Sequence, residues 1–188
     1  MQLPETELTA IGPISDAFRN LNISDFHAAC HYVHQLPYGR NASRSDFTLV
    51  LTEQKGTCSS KHALLSILAE ENVLQNVELI VGIFMLSAET HPQVATVLEK
   101  YKLTSIPECH VYLRYKGKRF DFTFPLQSIA PIENKIVREQ RIEPQQVIDW
   151  KIVIHKDYLT RWLARNPSIP YDLNQIWEIR EEIIAHLS

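Results

Sequence analysis

The spacing of hydrophobic residues along the first part of the chain predicts two helices. After Ser24, interpreted as an N-cap, apolar side chains recur at helical intervals as far as Leu36, and Pro37-Tyr38-Gly39 ends this helix. A second helix is expected from about Cys58 to Glu71, and the apolar run from Asp46 to Thr52 fits neither element type clearly. The inward face of the second helix is predicted to carry Ala63, Leu64, Ile67 and Leu68.

Strand patterns occupy the middle of the chain. The segment from Val77 to Leu86 is rich in β-branched and aromatic residues, which is typical of a buried strand. A helix opened by Thr90-His91-Pro92 is expected to reach about Tyr101. Two alternating runs follow, Cys109 to Tyr115 and Lys118 to Phe124, and Lys116-Gly117 between them predicts a hairpin turn.

Beyond Pro131 the pattern is mostly helical. Pro144 is expected to start one short helix, and a longer one is expected from Lys156 to Arg165. Asp172 is expected to cap a last helix, from about Leu173 to Leu187. This order of elements, with helices first, strands next and helices last, favours an α+β fold over an alternating α/β fold. The length of 188 residues predicts a single domain over 1–188.

Composition narrows the class of protein. Hydrophobic residues make up 45% and charged residues 22%, an ordinary globular mixture that excludes disordered and fibrous chains. A formal net charge of −3 argues against a nucleic-acid partner. The N-terminus lacks the apolar run of a signal peptide, and the longest apolar stretch, Leu79 to Leu86, is too short to cross a bilayer. Three cysteines are a poor disulfide framework, so we expect a soluble cytoplasmic protein with reduced thiols.

Cys58 lies where the second helix should begin. The free N–H groups and partial positive charge of a helix N-terminus favour the thiolate, which is the nucleophilic form of cysteine. A cysteine in a first turn, taken alone, is more often a small buried core residue. The catalytic interpretation therefore needs a partner elsewhere in the chain.

The hairpin supplies that partner. With a two-residue turn, Tyr115 faces Lys118 across the strands. The next pairs on the same face are Leu113 with Phe120 and Val111 with Phe122, and these four residues are all apolar. The other face carries His110, Tyr112, Asp121 and Thr123. His110 and Asp121 are then diagonal neighbours about 7–8 Å apart at the backbone. A carboxylate orients an imidazole, and the imidazolium lowers the pKa of a nearby thiol. A solvent-exposed hairpin that merely carries a His and an Asp is the open alternative.

These segments resemble the transglutaminase-like superfamily, in its bacterial-type stand-alone form. Gly56-Thr57-Cys58 at the head of a helix resembles the nucleophile segment of that family. The run from His110 to Thr123 resembles its second and third segments, in which a His begins one strand and the next strand ends in Asp followed closely by Thr. The resemblance covers about residues 46–124.

The resemblance implies a papain-like core, with a Cys-bearing helix packed on an antiparallel sheet and additional C-terminal helices. It implies Cys58 as nucleophile, His110 as general base and acid, and Asp121 as the residue that orients His110. The implied reaction is acyl transfer on an amide or peptide substrate through a thioester, with hydrolysis (peptidase or deamidase) favoured over crosslinking and no cofactor or metal required. The family often places a Trp or Gln before the cysteine as a second oxyanion donor. No Trp precedes Cys58, so the candidates are Gln54 and the backbone N–H of Cys58.

Other interpretations stay open. Arylamine N-acetyltransferases share the triad, but their Arg-Gly-Gly is replaced here by Lys55-Gly56-Thr57. A non-catalytic interaction module could keep the same scaffold. Several other residues are assigned structural roles from the sequence. His27, His31 and His34 are expected to form a solvated helix face rather than a zinc site. His62 is interpreted as a polar helix position and Cys109 as a core residue. The three tryptophans of the C-terminal part are interpreted as packing anchors: Trp150, Trp162 and Trp177.

Overall fold

The computed structural model describes residues 3–125 and 127–187 and has the expected α+β class, with 45% helix and 19% strand. The helices are α1 (Pro13–Asn20), α2 (Phe26–Gln35), α3 (Leu49–Thr52), α4 (Cys58–Glu71), α5 (Ala95–Lys100), α6 (Ala130–Glu133), α7 (Trp150–Arg165) and α8 (Leu173–Ala185), with 3₁₀ turns at Pro92–Val94 and Pro144–Val147. The strands are β1 (Val77–Ser87), β2 (Ser105–Tyr115), β3 (Lys118–Phe120) and β4 (Ile136–Arg141).

The strands form one antiparallel sheet in the order β3-β2-β1-β4. Strands β1 and β2 pair along their whole length, from Val77 opposite Tyr115 to Ser87 opposite Ser105. The sheet therefore has a long two-stranded centre and short edges, and the predicted hairpin occupies one of those edges.

Helices cover both faces of this sheet. Because side chains alternate along a strand, Val81 of β1 joins a hydrophobic cluster with Leu64 of α4, whereas its neighbour Ile80 joins a second cluster with Leu159 of α7 and Ile179 of α8. The sheet is thus the middle layer of three. Within the described part of the chain, none of the helices has both the length and the apolar character needed to span a bilayer.

Helix α4 begins and ends where the sequence predicts. Thr57 is its N-cap and forms a reciprocal capping box with Ser60, since each side chain accepts the backbone N–H of the other residue. Gly56 precedes the cap at a point of close approach, because a Cβ atom there would lie 2.8 Å from Cγ of Lys61. The backbone of Gly56 also pairs with residues 37 and 39, which fixes the loop around Tyr38 beside the start of α4.

The hairpin register is confirmed, but the second strand is shorter than predicted. Tyr115 pairs with Lys118 and Leu113 with Phe120, whereas the expected pairing of Val111 with Phe122 does not form. Strand β3 ends at Phe120 because the backbone of the following residues bonds to side chains of α4 instead, as described below.

Elements at both ends of the chain differ from the prediction. Helix α1 was not predicted, and the segment expected to be helical beyond Pro131 contains strand β4. Helix α7 begins at Trp150, well before the predicted start at Lys156. The N-cap of α2 is Asp25, whose side chain accepts the N–H of Ala28.

Candidate active site

The three residues singled out from the sequence meet at the N-terminus of α4. Cys58 is the first residue of that helix, His110 lies within β2, and Asp121 directly follows β3. The Nε2 atom of His110 lies 2.7 Å from Oδ2 of Asp121, and the side chain of Cys58 is hydrogen-bonded to His110. Because Nε2 is committed to Asp121, Nδ1 is the ring nitrogen that remains for Cys58.

Local contacts hold the Asp121 carboxylate in place. Its Oδ1 atom accepts the backbone N–H of Thr123 at 3.0 Å and the Thr123 hydroxyl at 2.6 Å, while Oδ2 faces the imidazole. Burial opposes ionisation of Asp121, but the charge and hydrogen bond of His110, with a smaller contribution from the Thr123 hydroxyl, hold the pKa of Asp121 well below its usual range. The carboxylate is therefore ionised and oriented toward His110.

Two consecutive side chains of α4 hold the segment that follows β3. His62 accepts the backbone N–H of Phe122 at Nε2 over 2.9 Å, and its Nδ1–H donates to the carbonyl of Cys58 over 2.8 Å. The buried Lys61 ammonium donates to the carbonyls of Leu36, Phe122 and Thr123, at 2.5, 3.3 and 2.8 Å respectively. These bonds replace the strand ladder, which explains why β3 stops before Asp121.

The early end of β3 leaves a backbone donor of β2 free for the thiol. In the predicted ladder the N–H of Val111 would face Phe122, but the Phe122 carbonyl instead accepts Lys61. The Val111 N–H forms a hydrogen bond to Cys58. The sulfur of Cys58 is therefore in contact with both a main-chain N–H and an imidazole.

A lysine that the sequence analysis did not identify also contacts the sulfur. The Nζ atom of Lys151, on α7, lies 3.7 Å from Sγ of Cys58 and 2.9 Å from Oγ of Ser59. Lys151 is 8% exposed, so its charge is little screened by water. No local pattern marks this residue, because 93 positions separate it from Cys58 and only the fold brings them together.

These contacts change the acidity of both reacting groups. Burial alone would raise the pKa of the Cys58 thiol, but the Lys151 charge, the His110 hydrogen bond and charge, and the Val111 N–H lower it to about 6. Burial would lower the pKa of His110, but the charge and hydrogen bond of Asp121 and the nearby sulfur raise it to about 10. At neutral pH the stable form of the pair is therefore thiolate and imidazolium.

His62 has a different role from His110 although both rings are buried. Its two hydrogen bonds fix the neutral tautomer with the proton on Nδ1, and burial lowers its pKa to about 4. The interpretation of His62 as an ordinary polar helix position is wrong, because its side chain has no exposed surface. It connects the carbonyl of the nucleophile to the segment that carries Asp121.

The sulfur faces a cavity of about 540 Å³. Its apolar lining includes Phe84 and Leu86 of β1 and Trp177 of α8, and Tyr38 stacks on Phe124 at one side with ring centroids 5.0 Å apart. Such a cavity is large enough for a peptide side chain and its flanking backbone.

Polar groups also line this cavity. Glu108, on the same face of β2 as His110, forms a two-pronged ion pair with Arg180 of α8, at 2.5 and 2.8 Å. Both residues line the cavity, so this ion pair ties its α8 wall to the sheet.

The position of Gln54 does not favour it as an oxyanion donor. Its side chain is exposed, its backbone adopts φ 50° in the turn before Gly56, and it does not line the cavity. The N–H groups of Cys58 and Ser59 lie in the first helical turn, where no carbonyl of the helix can accept them. They are therefore the main-chain candidates for stabilising the oxygen of a carbonyl bound at the sulfur.

The remaining sequence interpretations have simple outcomes. Cys109 is a buried core residue as predicted, and none of the three cysteines forms a disulfide. Trp150 packs against the first hydrophobic cluster, and Trp162 and Trp177 pack against the second. His34 is 2.7 Å from the carbonyl of Gln127, and the described residues contain no cluster of His, Cys, Asp or Glu that could hold a metal ion.

Comparison of the chain with models of protein families, with curated proteins and with solved structures found no match. The chemistry of this site must therefore be derived from its own geometry.

Proposed function

We propose that the cavity at Cys58 is the active site of a cysteine-dependent acyl transferase that hydrolyses amides, as a peptidase or deamidase. The observation that carries this proposal is the contact of one sulfur with an Asp-oriented imidazole and a buried ammonium at a helix N-terminus. Packed structural cysteines have their pKa raised by burial, as Cys30 and Cys109 do here. Cys58 is also buried, with 7% of its surface exposed, yet its pKa is lowered.

The proposed fold assignment is a transglutaminase-like, papain-like core. Three features support it: a Cys-bearing helix packed on an antiparallel sheet, a His on an adjacent strand, and an Asp immediately after the next strand. Their order along the chain is Cys, His, Asp, which is the order of that family. The helices α7 and α8 lie outside the motif-bearing segment and complete the cavity.

In the first half of the reaction the Cys58 thiolate attacks the amide carbonyl carbon. A C–S bond forms, and the carbonyl electron pair moves onto oxygen, where the N–H groups of Cys58 and Ser59 stabilise it. His110 then gives its Nδ1 proton to the amide nitrogen as the C–N bond breaks. The products are a free amine and a thioester on Cys58.

Water completes the cycle. Neutral His110 takes a proton from water as the water oxygen attacks the thioester carbonyl. The tetrahedral species collapses, the C–S bond breaks with its electron pair on sulfur, and the acid leaves. Asp121 stabilises the imidazolium through both halves and prevents rotation of the ring. An amine in place of water would give transfer instead of hydrolysis.

Thiol reactivity tests the proposal without knowledge of the substrate. We expect iodoacetamide to alkylate Cys58 selectively at pH 7, with a rate profile whose midpoint lies near the lowered pKa. His110→Ala should move that midpoint upward and slow the reaction, and mass spectrometry of the Cys58 peptide identifies the site. Equal, slow labelling of Cys30, Cys58 and Cys109 would reject an activated nucleophile and favour a non-catalytic module.

Turnover is then sought with a library of peptides and primary amides. A thioester on Cys58, trapped at low pH and removed by hydroxylamine, is the expected intermediate. It should be absent in Cys58→Ala and should accumulate to a lower level in His110→Ala. Substrate cleavage that persists in Cys58→Ala would overturn the assignment of the nucleophile.

A further inference from the structure

The walls of the cavity carry more positive than negative charge. Five cationic side chains line it, against two carboxylates, although the whole chain has a formal net charge of −3. The cationic side chains are Arg40, Arg44, Lys151, Lys156 and Arg180, and the carboxylates are Glu108 and Glu181. The charge of the cavity is thus opposite in sign to that of the protein.

The two carboxylates already form ion pairs with two of the arginines. Arg180 binds both oxygens of Glu108 and also contacts Glu181, and Arg40 bonds to the other oxygen of Glu181. These four residues form a closed network across the rim and wall of the cavity. The two arginines and the two carboxylates of this network balance each other in charge.

Three cations are left outside this network. In the part of the chain that the structure describes, Lys151, Lys156 and Arg44 form no ion pair with a carboxylate. Lys151 faces the sulfur, and the ammonium of Lys156 lies 4.8 Å from the ring centroid of Trp177. Arg44 donates to the carbonyl of Ile148 and is otherwise exposed at the rim.

The neutral histidines of the cavity do not alter this balance. Burial lowers the pKa of His91 to about 4 and also lowers that of His155, so neither ring carries a charge at neutral pH. The imidazolium of His110 is balanced by Asp121, and the Cys58 thiolate is balanced by Lys151. Lys156 and Arg44 therefore remain as positive charges available to a ligand.

We propose that the acyl substrate of this site carries a carboxylate close to the scissile amide, which Lys156 and Arg44 bind. This rests on the proposed function in taking the cavity as the substrate site. The carboxylate is either an acidic side chain next to the amide or the carboxyl terminus of a short peptide. Trp177 lines the cavity beside Lys156 and supplies an apolar surface for the hydrocarbon part of the residue that carries the carboxylate.

The first test compares two alkylating agents that differ in one group. Iodoacetate carries a carboxylate where iodoacetamide carries a neutral amide, and in each the thiolate forms a C–S bond as iodide leaves. We expect the ratio of the two rates at Cys58, divided by the same ratio for a neutral small thiol, to be at least about tenfold at low salt. It should fall toward unity as sodium chloride is added.

Variants show which side chains cause the preference of Cys58 for iodoacetate over iodoacetamide. Lys156→Gln combined with Arg44→Gln should reduce the normalised ratio about fivefold or more, whereas Lys118→Gln at the exposed hairpin tip is the matched control and should not change it. The readout is a ratio, so a change in thiol reactivity affects both rates and cancels. A wild-type ratio at or below that of the small thiol would overturn the proposal.

This measurement separates the two proposals. At about pH 9 an ordinary thiol also ionises, so the ratio can be measured even if Cys58 is not activated. If the pKa of Cys58 is lowered but iodoacetate is not preferred over iodoacetamide, only the proposed class of substrate is rejected. If iodoacetate is preferred but the pKa of Cys58 is that of an ordinary thiol, the proposed nucleophile is rejected and the anion-binding site is retained.

Peptides distinguish the two sources of the carboxylate. Matched pairs that differ only as Glu against Gln beside the amide, or as a free against an amidated C-terminus, are compared by cleavage rate at low salt. The proposal expects one of these pairs to favour the acid about tenfold or more, with the preference lost in the double variant. Equal rates within both pairs would overturn it.

Discussion

Among the groups that lower the pKa of Cys58, the charge of Lys151 has the largest effect. Lys151→Met removes the ammonium and keeps a side chain of similar length in a buried position. At 3.7 Å from the sulfur and an effective dielectric constant of about 20, the lost attraction is about 4 kcal/mol, or about 3 pKa units. Water that enters beside the uncharged methionine side chain recovers part of this energy, so we expect the pKa of Cys58 to rise by about 2 units.

The assay is the pH dependence of Cys58 alkylation by iodoacetamide. The midpoint should move from near 6 in the wild type to about 8 in Lys151→Met. At about pH 6 the thiolate fraction, and with it the rate, should then fall about fiftyfold. The midpoint is the better readout, because a more basic thiolate is also intrinsically more nucleophilic.

Two control variants limit the interpretation. Lys151→Arg keeps the positive charge and should retain most of the lowered pKa, whereas Lys118→Met removes an exposed lysine at the hairpin tip and should leave the midpoint unchanged. Thermal denaturation shows that each variant is folded. A midpoint in Lys151→Met within about half a unit of the wild type would refute the assignment of the lowered acidity to this ammonium.

Two further changes test how the site is held together. His62→Ala leaves the buried Phe122 N–H without a partner and removes the side-chain bond to the Cys58 carbonyl, which keeps its helical partner. We expect urea denaturation to show a loss of about 3 kcal/mol in the free energy of unfolding, and a loss below about 1 kcal/mol would contradict this. Arg180→Met leaves Glu108 as an unpaired buried charge and should cost about 3–5 kcal/mol at neutral pH. The Arg180 charge lowers the pKa of Glu108 to about 2 although burial opposes it, so this stabilisation is complete above about pH 4.3 and is lost as the pH falls toward 2. The difference in thermal midpoint between wild type and variant should shrink over that range, and a constant difference would contradict the role of the pair.

The sequence predicted best those features that depend on neighbouring residues. Helix α4 was placed at Cys58–Glu71, because Gly56 and Thr57 mark its start and the apolar stripe continues to its end. The hairpin register followed from a two-residue turn and the match of apolar residues such as Leu113 and Phe120. Both signals are local, so no tertiary contact was needed to read them.

The missed elements depend on distant contacts. The start of α1 has no capping side chain of its own; instead the Glu71 carboxylate, at the end of α4, accepts the N–H groups of Ile14 and Ser15. Strand β4 is a mostly polar edge strand without a clear alternation of hydrophobic and polar residues, and it is defined by its pairing with β1. A single sequence gives no information about either contact.

The same division applies to the site. His110 and Asp121 are close in the chain, and their contact was predicted from the hairpin. The way in which Asp121 is held was not predicted. Lys61 and His62 bond to the backbone of Phe122 and end the strand there, and the alternating pattern of a hairpin does not indicate such bonds. Lys151 comes from a helix beyond the motif, and only the packing of that helix against α4 brings its ammonium to the sulfur.

The donor supplied to the sulfur by Val111 belongs to the main chain. No exchange of the side chain at this position removes it, apart from proline, which has no N–H. Hydrophobic replacements of Val111 of similar size should therefore preserve this part of the thiolate environment while changing the sequence. Any residue type that packs in the core can therefore occupy this position without loss of the donor. What the site requires is that β3 ends before it pairs with Val111, and a sequence motif based on residue types would not show this requirement.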